Sequence, residues 1–483
     1  MAHDTNHPEE AGRVIGSAGA LAIVVGSMLG IGIFLSPAQV ATQLPSTWGY
    51  LAVWLVCGLI AFAGAVAYAE LGTRFPRAGG DYVLLRHAFG PSLSFAAGWL
   101  LFVGVFAGSV ATMAVPIGQF QAPVLLAPWL ELSPDESLFS VSLFGITWLQ
   151  LTQARAIGVA LIVLLTVLNI LGTRLSTAAQ LVLTALPVLF FAAMALYIFA
   201  FVEPAAAPAQ PPPVEEPVIA FGRALLAVYF AFAGWNAIAY VGGELRQPKR
   251  TIPLSLLGGT VLITLLYLLM AGAFLYVLGI DALPRAFEAG TATAQILGGG
   301  RAAFWVTALI ALALLGSVNA TILAGGRVGW AMALDDERGN VHDEAPRSWL
   351  AELHPRWGTP HRSLLLLAAL AIVFVLTGSF QILLELTSVA MLLMSALTML
   401  ALFKLRRRDG DDAPYRATLY PYLPLLFLLV SIGVIAAQLY RALAGSDKLS
   451  VASFYPLMGL GVFGLSFGLH WLARRGSARI DSH

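Results

Sequence analysis

Gly26-Ser27-Met28-Leu29-Gly30-Ile31-Gly32-Ile33-Phe34 places three glycines within seven positions of one apolar run, residues 14–44. About 20 apolar residues cross the hydrocarbon core of a bilayer, so this run is long enough to span it. Glycine weakens helices, and the cluster therefore predicts a spanning helix that is broken at mid-depth. Because unwound backbone is costly in lipid, such a break persists where it lines a cavity or binds a ligand.

The helix is predicted to resume from about Gly32 to Ala41. Its N-terminus carries the positive end of the helix dipole and points into the predicted cavity, where it favours an anionic ligand such as a carboxylate. From this stretch alone a second interpretation stays open, because spaced glycines also let membrane helices pack closely without any break.

The composition indicates the class of protein. Of 483 residues, 59% are hydrophobic and 11% are charged, and the mean hydropathy is +0.82. These values lie far outside the range of soluble domains and predict an all-α polytopic membrane protein. A net charge of +1 gives no sign of a nucleic-acid partner. The single cysteine, Cys57, excludes disulfides and zinc ribbons within one chain.

Twelve apolar runs predict about 12 transmembrane helices, with both chain ends on one side. The approximate runs are 14–44, 48–73, 92–120, 156–173, 177–201, 218–243, 254–280, 302–331, 363–378, 380–403, 419–442 and 451–473. Most Lys and Arg residues fall on loops that share a side with the N-terminus, whereas the loops 122–152 and 202–217 contain neither. The positive-inside rule therefore predicts that the N- and C-termini are cytoplasmic.

The runs divide the chain into six segments. These are a tail (1–13), a first set of five helices (14–201), a Pro-rich connector on the opposite side (202–217), a second set of five helices (218–408), two further helices (409–475) and a second tail (476–483). Within the first set, residues 79–89 show helical spacing of apolar and polar residues. They predict a short amphipathic helix on the cytoplasmic face, either a gate or a helix lying at the interface.

The sixth run contains a second interruption, Phe230-Ala231-Phe232-Ala233-Gly234-Trp235-Asn236. Asn236 is costly at mid-depth unless it is paired or faces water, although an interhelical hydrogen bond would also explain it. The first and sixth spans each begin a set of five. Interrupted helices at matching positions in two halves favour an inverted-repeat transporter, with its site at the repeat interface.

Several further segments accompany the two breaks. They are Tyr68 to Gly72, Phe75 to Tyr82, Gly243 to Pro253 and Gly316 to Thr321. Together with the breaks, these segments resemble the amino acid–polyamine–organocation superfamily, nearest its L-type amino acid transporter branch. The resemblance implies the LeuT-type fold, five helices repeated in inverted orientation plus two C-terminal helices. It also implies sodium-independent exchange or proton-linked uptake of amino acids.

The resemblance implies a substrate site as well. The hydroxyl of Ser27 and the N–H groups of Gly30, Ile31 and Gly32 would bind the substrate carboxylate. The carbonyls near Phe230, Ala231 and Ala233 would receive the ammonium group. Asn236 would tie the broken sixth helix to its neighbours. The predicted substrate-binding residues are Ser27, Met28, Gly30, Ile31, Gly32, Phe230, Ala231, Phe232, Ala233, Asn236, Ser317 and Thr321.

Gating is predicted at both ends of the pathway. Phe230 resembles the aromatic residue that closes the outer lid. Glu70 and Arg74 lie near a span end, where a salt bridge or an inner gate contact is expected. The complete set of predicted gating residues is Phe230, Glu70, Arg74, Tyr82 and Glu244.

The sequence departs from the family at three places. Ile31 stands where members usually have Ser or Thr, so backbone donors must suffice for the carboxylate. Pro187 is aligned with a lysine that in many members mimics sodium or carries a proton. The loop between the third and fourth spans lacks the cysteine that joins animal relatives to a glycoprotein, so we expect no disulfide-linked heavy-chain subunit, and a monomer or weak homodimer. No cofactor and no metal are predicted.

These observations predict a secondary transporter for neutral amino acids in the cytoplasmic (inner) membrane of a prokaryote. Enzyme activity is not predicted, because the spans supply no nucleophile with a base and no paired carboxylates. Two alternatives stay open: an amino acid sensor without transport, and an antiporter of cationic amino acids or polyamines. The few ionisable residues expected near the pocket, chiefly Glu385, disfavour a cationic substrate. Exchange without an obligatory ion is favoured over sodium or proton coupling.

Overall fold

A computed structural model describes most of the chain. The described residues are 13–143, 146–205, 214, 216–339, 349–378, 380–410, 412–444 and 464. The predicted twelfth span and both predicted tails therefore lie almost entirely outside the described residues, as does the side chain of Glu385.

Helices occupy each of the first eleven predicted spans. In chain order they are Ser17–Met28 with Gly32–Gln43, Thr47–Arg74, Pro91–Leu126, Gln153–Ile170, Thr173–Phe201, Pro217–Ala231 with Ala237–Tyr240, Pro248–Leu278, Ala289–Gly339, His361–Thr377, Phe380–Asp409 and Tyr422–Ala444. Seven described helices are long and apolar enough to cross a membrane, or eight if the bent pair of the first span is counted as one. The predicted polytopic helical architecture is confirmed.

The third and eighth spans are longer than predicted. The third runs from residue 91 to residue 126 and is π-helical over Leu100–Ala107 and Ile117–Gln121, a local widening that is frequent at functional sites. The eighth begins at Ala289 and is kinked where Gly298 and Gly299 leave helical geometry. Its first segment is polar enough that the hydropathy pattern did not include it in the span.

A β-hairpin in the predicted loop 122–152 is the main feature that the sequence analysis missed. Strand β1 (Ser137–Leu143) pairs antiparallel with β2 (Ile146–Thr152), with Ser140 opposite Gln150. Alternating serines and apolar residues in β1 form the usual strand pattern, so the signal was present in the sequence.

The short helix predicted from residues 79–89 is confirmed as Asp81–Phe89. It does not merely float at the interface, because Tyr82, Leu84 and Leu85 are buried. A bridge between Ala78 and Val241 joins the segment before it to the end of the sixth span. The helix is therefore packed beneath the centre of the bundle.

Candidate functional site

The first span is broken as predicted, and the break is only three residues long. The helix ends at Met28 and resumes at Gly32, with a 40° bend. Leu29 (φ −74°, ψ 74°) forms an inverse γ-turn in which the Gly30 N–H donates to the Met28 carbonyl at 2.8 Å. One predicted donor to the substrate is thus engaged in the turn. The N–H groups of Ile31 and Gly32 have no acceptor among the described residues.

The break in the sixth span is longer, and the helix that follows it is short. The helix ends at Ala231, and Gly234 adopts φ 93°. Beyond the break, four residues are α-helical, Ala237–Tyr240, and a 3₁₀ turn follows at Gly242–Glu244. The Phe230 carbonyl accepts from the Ala233 N–H at 3.0 Å. In the part of the chain that the structure describes, the carbonyls of Phe232 and Ala233 accept no hydrogen bond, so they are free for a cationic group.

The two breaks contact each other through glycines. A Cβ atom on Gly32 would lie 2.6 Å from the Cα of Ala231, and one on Gly234 would lie 2.8 Å from the carbonyl oxygen of Ser27. Real Cβ atoms do not come so close to backbone atoms. Each break therefore needs its glycine so that the backbone of the other can approach.

All twelve predicted substrate-binding residues line one cavity between the breaks. They are Ser27, Met28, Gly30, Ile31, Gly32, Phe230, Ala231, Phe232, Ala233, Asn236, Ser317 and Thr321. Residues of the second, third and tenth spans and of the short helix complete the wall. The sequence analysis missed the polar lining residues Asp81, Ser109, Tyr240 and Ser395, although Asp81 begins the predicted short helix and Tyr240 lies in the broken sixth span.

Comparison with known proteins identifies the family. The family model described as amino acid permease matches residues 15–463. The chain belongs to this family. Its relatives are transporters: the serine/threonine exchanger SteT of Bacillus subtilis (strain 168) is 27% identical over 90% of this chain and 93% of the relative. The b(0,+)-type amino acid transporter 1 of Mus musculus is 26% identical over 88% and 82%.

A third relative is an uncharacterized transporter of Mycobacterium tuberculosis (strain ATCC 25618 / H37Rv). It is 30% identical to this chain over 98% of its residues and 95% of the relative. The matches therefore extend over nearly the whole permease, including both breaks.

Hydroxyl groups of the permease tie the breaks to neighbouring spans. The Tyr267 hydroxyl of the seventh span lies 2.6 Å from the Met28 carbonyl and 3.0 Å from the Ala231 carbonyl, so it bridges the two breaks. The Ser317 hydroxyl donates to the Ser27 carbonyl at 3.2 Å. Nothing in the local sequence singles out Tyr267, because its partners are distant in the chain.

The side-chain hydroxyls of Ser27 and Thr321 are both engaged within their own helices. Ser27 donates to the Ile23 carbonyl at 2.7 Å, and Thr321 donates to the Ser317 carbonyl at 2.8 Å. The prediction that Ser27 offers its hydroxyl to the carboxylate therefore requires that this hydroxyl turn away from Ile23. Asn236 contacts Tyr240 of its own span, 3.5 Å away, and its amide also faces the hydroxyl of Tyr68 in the second span.

The predicted gating residues on the face that carries Ile15, which we call the N-terminal face, form two ion clusters. Fully buried Glu70 pairs with Arg74 at 2.8 Å, as the spacing predicts, and also accepts from Arg406 of the tenth span. Glu244 pairs with Arg327 of the eighth span at 2.7 Å. Tyr82 is buried on the short helix at this face.

The N-terminal segment is tied to the sixth span at the same face. The Ile15 N–H donates to the Glu244 carbonyl at 2.9 Å, and the Arg246 N–H donates to the Ile15 carbonyl at 3.0 Å. Since Ile15 enters the first span and Glu244 ends the sixth, both broken spans of the permease are joined where they leave the bundle. At the opposite end of the cavity, Phe230 is half-buried in the wall.

The fifth span packs along the first span on both sides of the break. The Gln180 amide and the Thr184 hydroxyl donate to the Ala22 carbonyl at 3.4 and 3.2 Å, and Phe191 contacts Phe34 beyond the break. Pro187 is buried between Thr184 and Phe191 on the same helix, and its alignment with the lysine of the family stays a prediction. Gln180 also accepts from Asn319 at 2.8 Å, so a neutral, hydrogen-bonded network occupies this contact.

Metal-ligating side chains are not clustered in the described part of the permease. Among these residues, no group of three or more His, Cys, Asp or Glu side chains is placed to hold a metal ion.

Proposed function

We propose that this permease exchanges small neutral amino acids across the inner membrane of a prokaryotic cell by alternating access. One observation carries the proposal. The unpaired N–H groups of Ile31 and Gly32 and the unpaired carbonyls of Phe232 and Ala233 face the same cavity. An amino acid zwitterion offers one anionic and one cationic group, and it satisfies both sets without leaving a net buried charge.

The size of the cavity supports a small substrate. The space open to the centres of water molecules is about 70 Å³. One water needs roughly 10–15 Å³ by this measure, so the cavity has room for several waters. A space of this size favours small amino acids over large ones unless the wall moves.

The chemistry of the wall supports apolar or hydroxylated side chains. Met113, Phe106 and Met391 supply apolar surface. Ser109 is buried, and its hydroxyl has no hydrogen-bond partner in the described part of the chain. A substrate hydroxyl would satisfy it, in line with the name of the serine/threonine exchanger among the relatives.

Asp81 weakens the argument that the pocket lacks a counter-charge for a cationic substrate. Both of its carboxylate oxygens, however, already accept hydrogen bonds, from Tyr240 and Thr398. A lysine or arginine side chain would have to displace one of these donors, and a buried cation without a free partner is costly. We therefore retain the neutral class of substrate.

The neutral contact between the first, fifth and eighth spans supports exchange without an obligatory ion. Gln180, Thr184 and Asn319 satisfy one another there and leave no cluster of unpaired oxygens for sodium. Glu70, Arg74, Tyr82 and Glu244 then form the gate on the cytoplasmic side, and Phe230 forms the gate on the outer side.

The proposal includes a transporter without a covalently attached partner. The only cysteine of the chain, Cys57, is buried in the second span, with 1% of its surface exposed. A thiol in this position cannot reach a cysteine of another subunit. We expect a monomer or a weak homodimer.

Counterflow in proteoliposomes tests the function. Vesicles loaded with unlabelled serine should accumulate labelled serine from outside, whereas protein-free vesicles should not. Alanine and threonine should compete, and arginine or a polyamine should not. Saturable serine binding without counterflow would identify a sensor, and stronger competition by arginine than by alanine would identify a cationic transporter. Abolition of counterflow by removal of sodium would overturn ion-independent exchange.

A further inference from the structure

Asp81 is the only acidic or basic side chain in the cavity wall among the described residues. It begins the short helix Asp81–Phe89, directly after Gly79 and Gly80, which both have positive φ. Its side chain is buried, with 1% of the residue exposed. The neutral substrate and the amide network do not use this carboxyl group, so its presence needs another explanation.

Asp81 connects three parts of the fold. The hydroxyl of Tyr240, in the inner half of the sixth span, donates to Oδ2 at 2.5 Å. The hydroxyl of Thr398, in the tenth span, donates to Oδ1 at 3.0 Å. Tyr68 of the second span directs its buried hydroxyl toward Asp81, Thr398 and Asn236, without a hydrogen bond of ordinary geometry among the described residues. The cluster lies between the cavity and the N-terminal face.

No cation balances Asp81 in the described part of the structure. The titratable groups that face it are Tyr68 and Tyr240. Charged residues on the elements around it have other partners or positions: Glu70, Arg74 and Arg406 pair together, Glu244 pairs with Arg327, Lys404 lies over Phe89, and Arg86 and His87 are at the far end of the short helix.

An uncompensated carboxylate is costly to bury, and the group avoids the cost by binding a proton. Burial accordingly raises the pKa of Asp81 above its usual range, although the hydroxyl donors act in the opposite direction. The Tyr240 contact also ties the inner half of the sixth span to the short helix. The hydrogen bond between Tyr240 and Asp81 therefore links a titratable group to the closed state of the N-terminal face.

We propose that the Asp81 carboxyl is a proton-binding site of the transport cycle, which holds its proton while the N-terminal face is closed and releases it when that face opens. Opening separates Tyr240 from Asp81 and admits water. The carboxyl O–H bond then breaks, the proton passes to water and the hydrated carboxylate remains. The proposal rests on the proposed alternating access, and it requires no net proton transport during exchange.

The first test is serine counterflow at equal internal and external pH, varied from about pH 5 to about pH 8. We expect the wild-type rate to change by roughly threefold or more over this range and the rate of Asp81→Asn to be nearly constant, because asparagine mimics the protonated acid. Asp409→Asn, which changes an exposed carboxylate paired with Arg408, is the matched control and should keep the wild-type profile.

The second test shifts the proton affinity instead of removing the site. Thr398→Val is nearly isosteric and deletes one donor to the carboxylate, so the midpoint of the pH profile should move to higher pH by about one unit. This shift decides the question even if Asp81→Asn does not fold. An unchanged midpoint in Thr398→Val, or a wild-type profile in Asp81→Asn, would overturn the proton site. Absence of counterflow at every pH would instead refute the proposed transport.

Thermal unfolding in detergent gives a readout independent of transport. The folded-state pKa of Asp81 is raised, so between its ordinary value near about 4 and its native value the folded protein binds more protons than the unfolded chain. The contribution of Asp81 to stability is therefore lost as the pH rises through this window. Wild-type Tm should fall with rising pH more steeply than the Tm of Asp81→Asn. Parallel curves would contradict the inference.

Discussion

The two broken spans line the same cavity but are held in different ways. The half of the first span away from the N-terminal face, which we call its outer half, is a twelve-residue helix, Gly32–Gln43, and packs backbone to backbone on Ala231. The half of the sixth span toward that face, which we call its inner half, resumes with four α-helical residues, Ala237–Tyr240. It is held by side-chain contacts and by a few backbone hydrogen bonds, such as the one from the Gly79 N–H to the Tyr240 carbonyl at 2.9 Å. Polar contacts of this kind can be exchanged for water.

This difference assigns separate tasks to the two regions. The close approach of Gly32 to Ala231 and the hydrogen bond from Ser36 to the Ala227 carbonyl, at 2.8 Å, join the outer halves of both spans. The inner half of the sixth span depends on Asp81 through Tyr240 and on Arg327 through Glu244. We infer that the outer halves form the fixed platform of the site and that the inner half of the sixth span moves.

The largest effect is expected from Gly32→Leu. A Cβ atom at this position would already lie 2.6 Å from the Ala231 backbone, and backbone cannot yield as a flexible side chain does. Both thermal stability and counterflow should be lost. Gly222→Leu is the matched control, because no atom lies within 4 Å of the corresponding Cβ position. If Gly32→Leu folds and transports, the platform is not rigid.

Gly30→Ala tests substrate binding at the same break without disturbing the fold. Its Cβ atom would lie 3.7 Å from the Ser317 hydroxyl, an ordinary contact. The methyl group should fit the fold but occupy cavity space, so expression and Tm should stay near wild type while the serine affinity falls by about tenfold or more. Unchanged affinity, measured by competition in counterflow, would place the carboxylate elsewhere.

A smaller effect is expected from Glu244→Gln, which tests the movable region. Arg327 is 1% exposed and would lose its ion-pair partner, while its bonds to Thr173 and to the Leu323 carbonyl remain. The free energy of unfolding should therefore decrease by no more than the roughly 3–5 kcal/mol typical of a broken buried pair. The N-terminal face should open more often.

Cysteine labelling measures that opening. In a Cys57→Ala background, Asn236→Cys should react faster with a membrane-impermeant maleimide added on the N-terminal side when Glu244→Gln is present. Arg362, which pairs with exposed Glu352, offers the control, since Glu352→Gln should leave the labelling rate unchanged. Equal rates in all variants would show that the Glu244 pair does not hold the gate.

The sequence predicted the features that are encoded locally. Three glycines in the first span, and Gly234 with Asn236 in the sixth, locate the two breaks. The spacing of four residues predicts the pair of Glu70 with Arg74. The sequence could not predict Tyr267, whose two partners are 239 and 36 residues away. Asp81 was missed for the same reason: its partners Tyr240 and Thr398 are distant in the chain, and only the fold brings them beneath the cavity.

Polar residues mark the face of the fifth span that meets the first. Gln180 and Thr184 lie one turn apart and both reach the Ala22 carbonyl, and Pro187 is buried on the same helix. The hydropathy of the span does not show this face, because most of its residues are apolar. The hairpin lies in a long loop between spans, where the hydropathy of a span-length window gives no signal for strands.

The smallest effect is expected from Ser109→Ala. This substitution tests whether the two breaks bind only the ammonium and carboxylate groups that all amino acids share. Ser109 belongs to neither break, and its buried hydroxyl has no partner in the described structure. If the Ser109 hydroxyl contacts the substrate side chain, the substitution should lower the affinities for serine and threonine by about fivefold, the worth of one neutral hydrogen bond. The affinity for alanine as a substrate should be unchanged or improved. Thr112→Val, one turn away and bonded within its helix, is the control. An equal loss of affinity for all three substrates would mean that Ser109 acts on the platform. Recognition of the common groups of the substrate and recognition of its side chain would then not be separate.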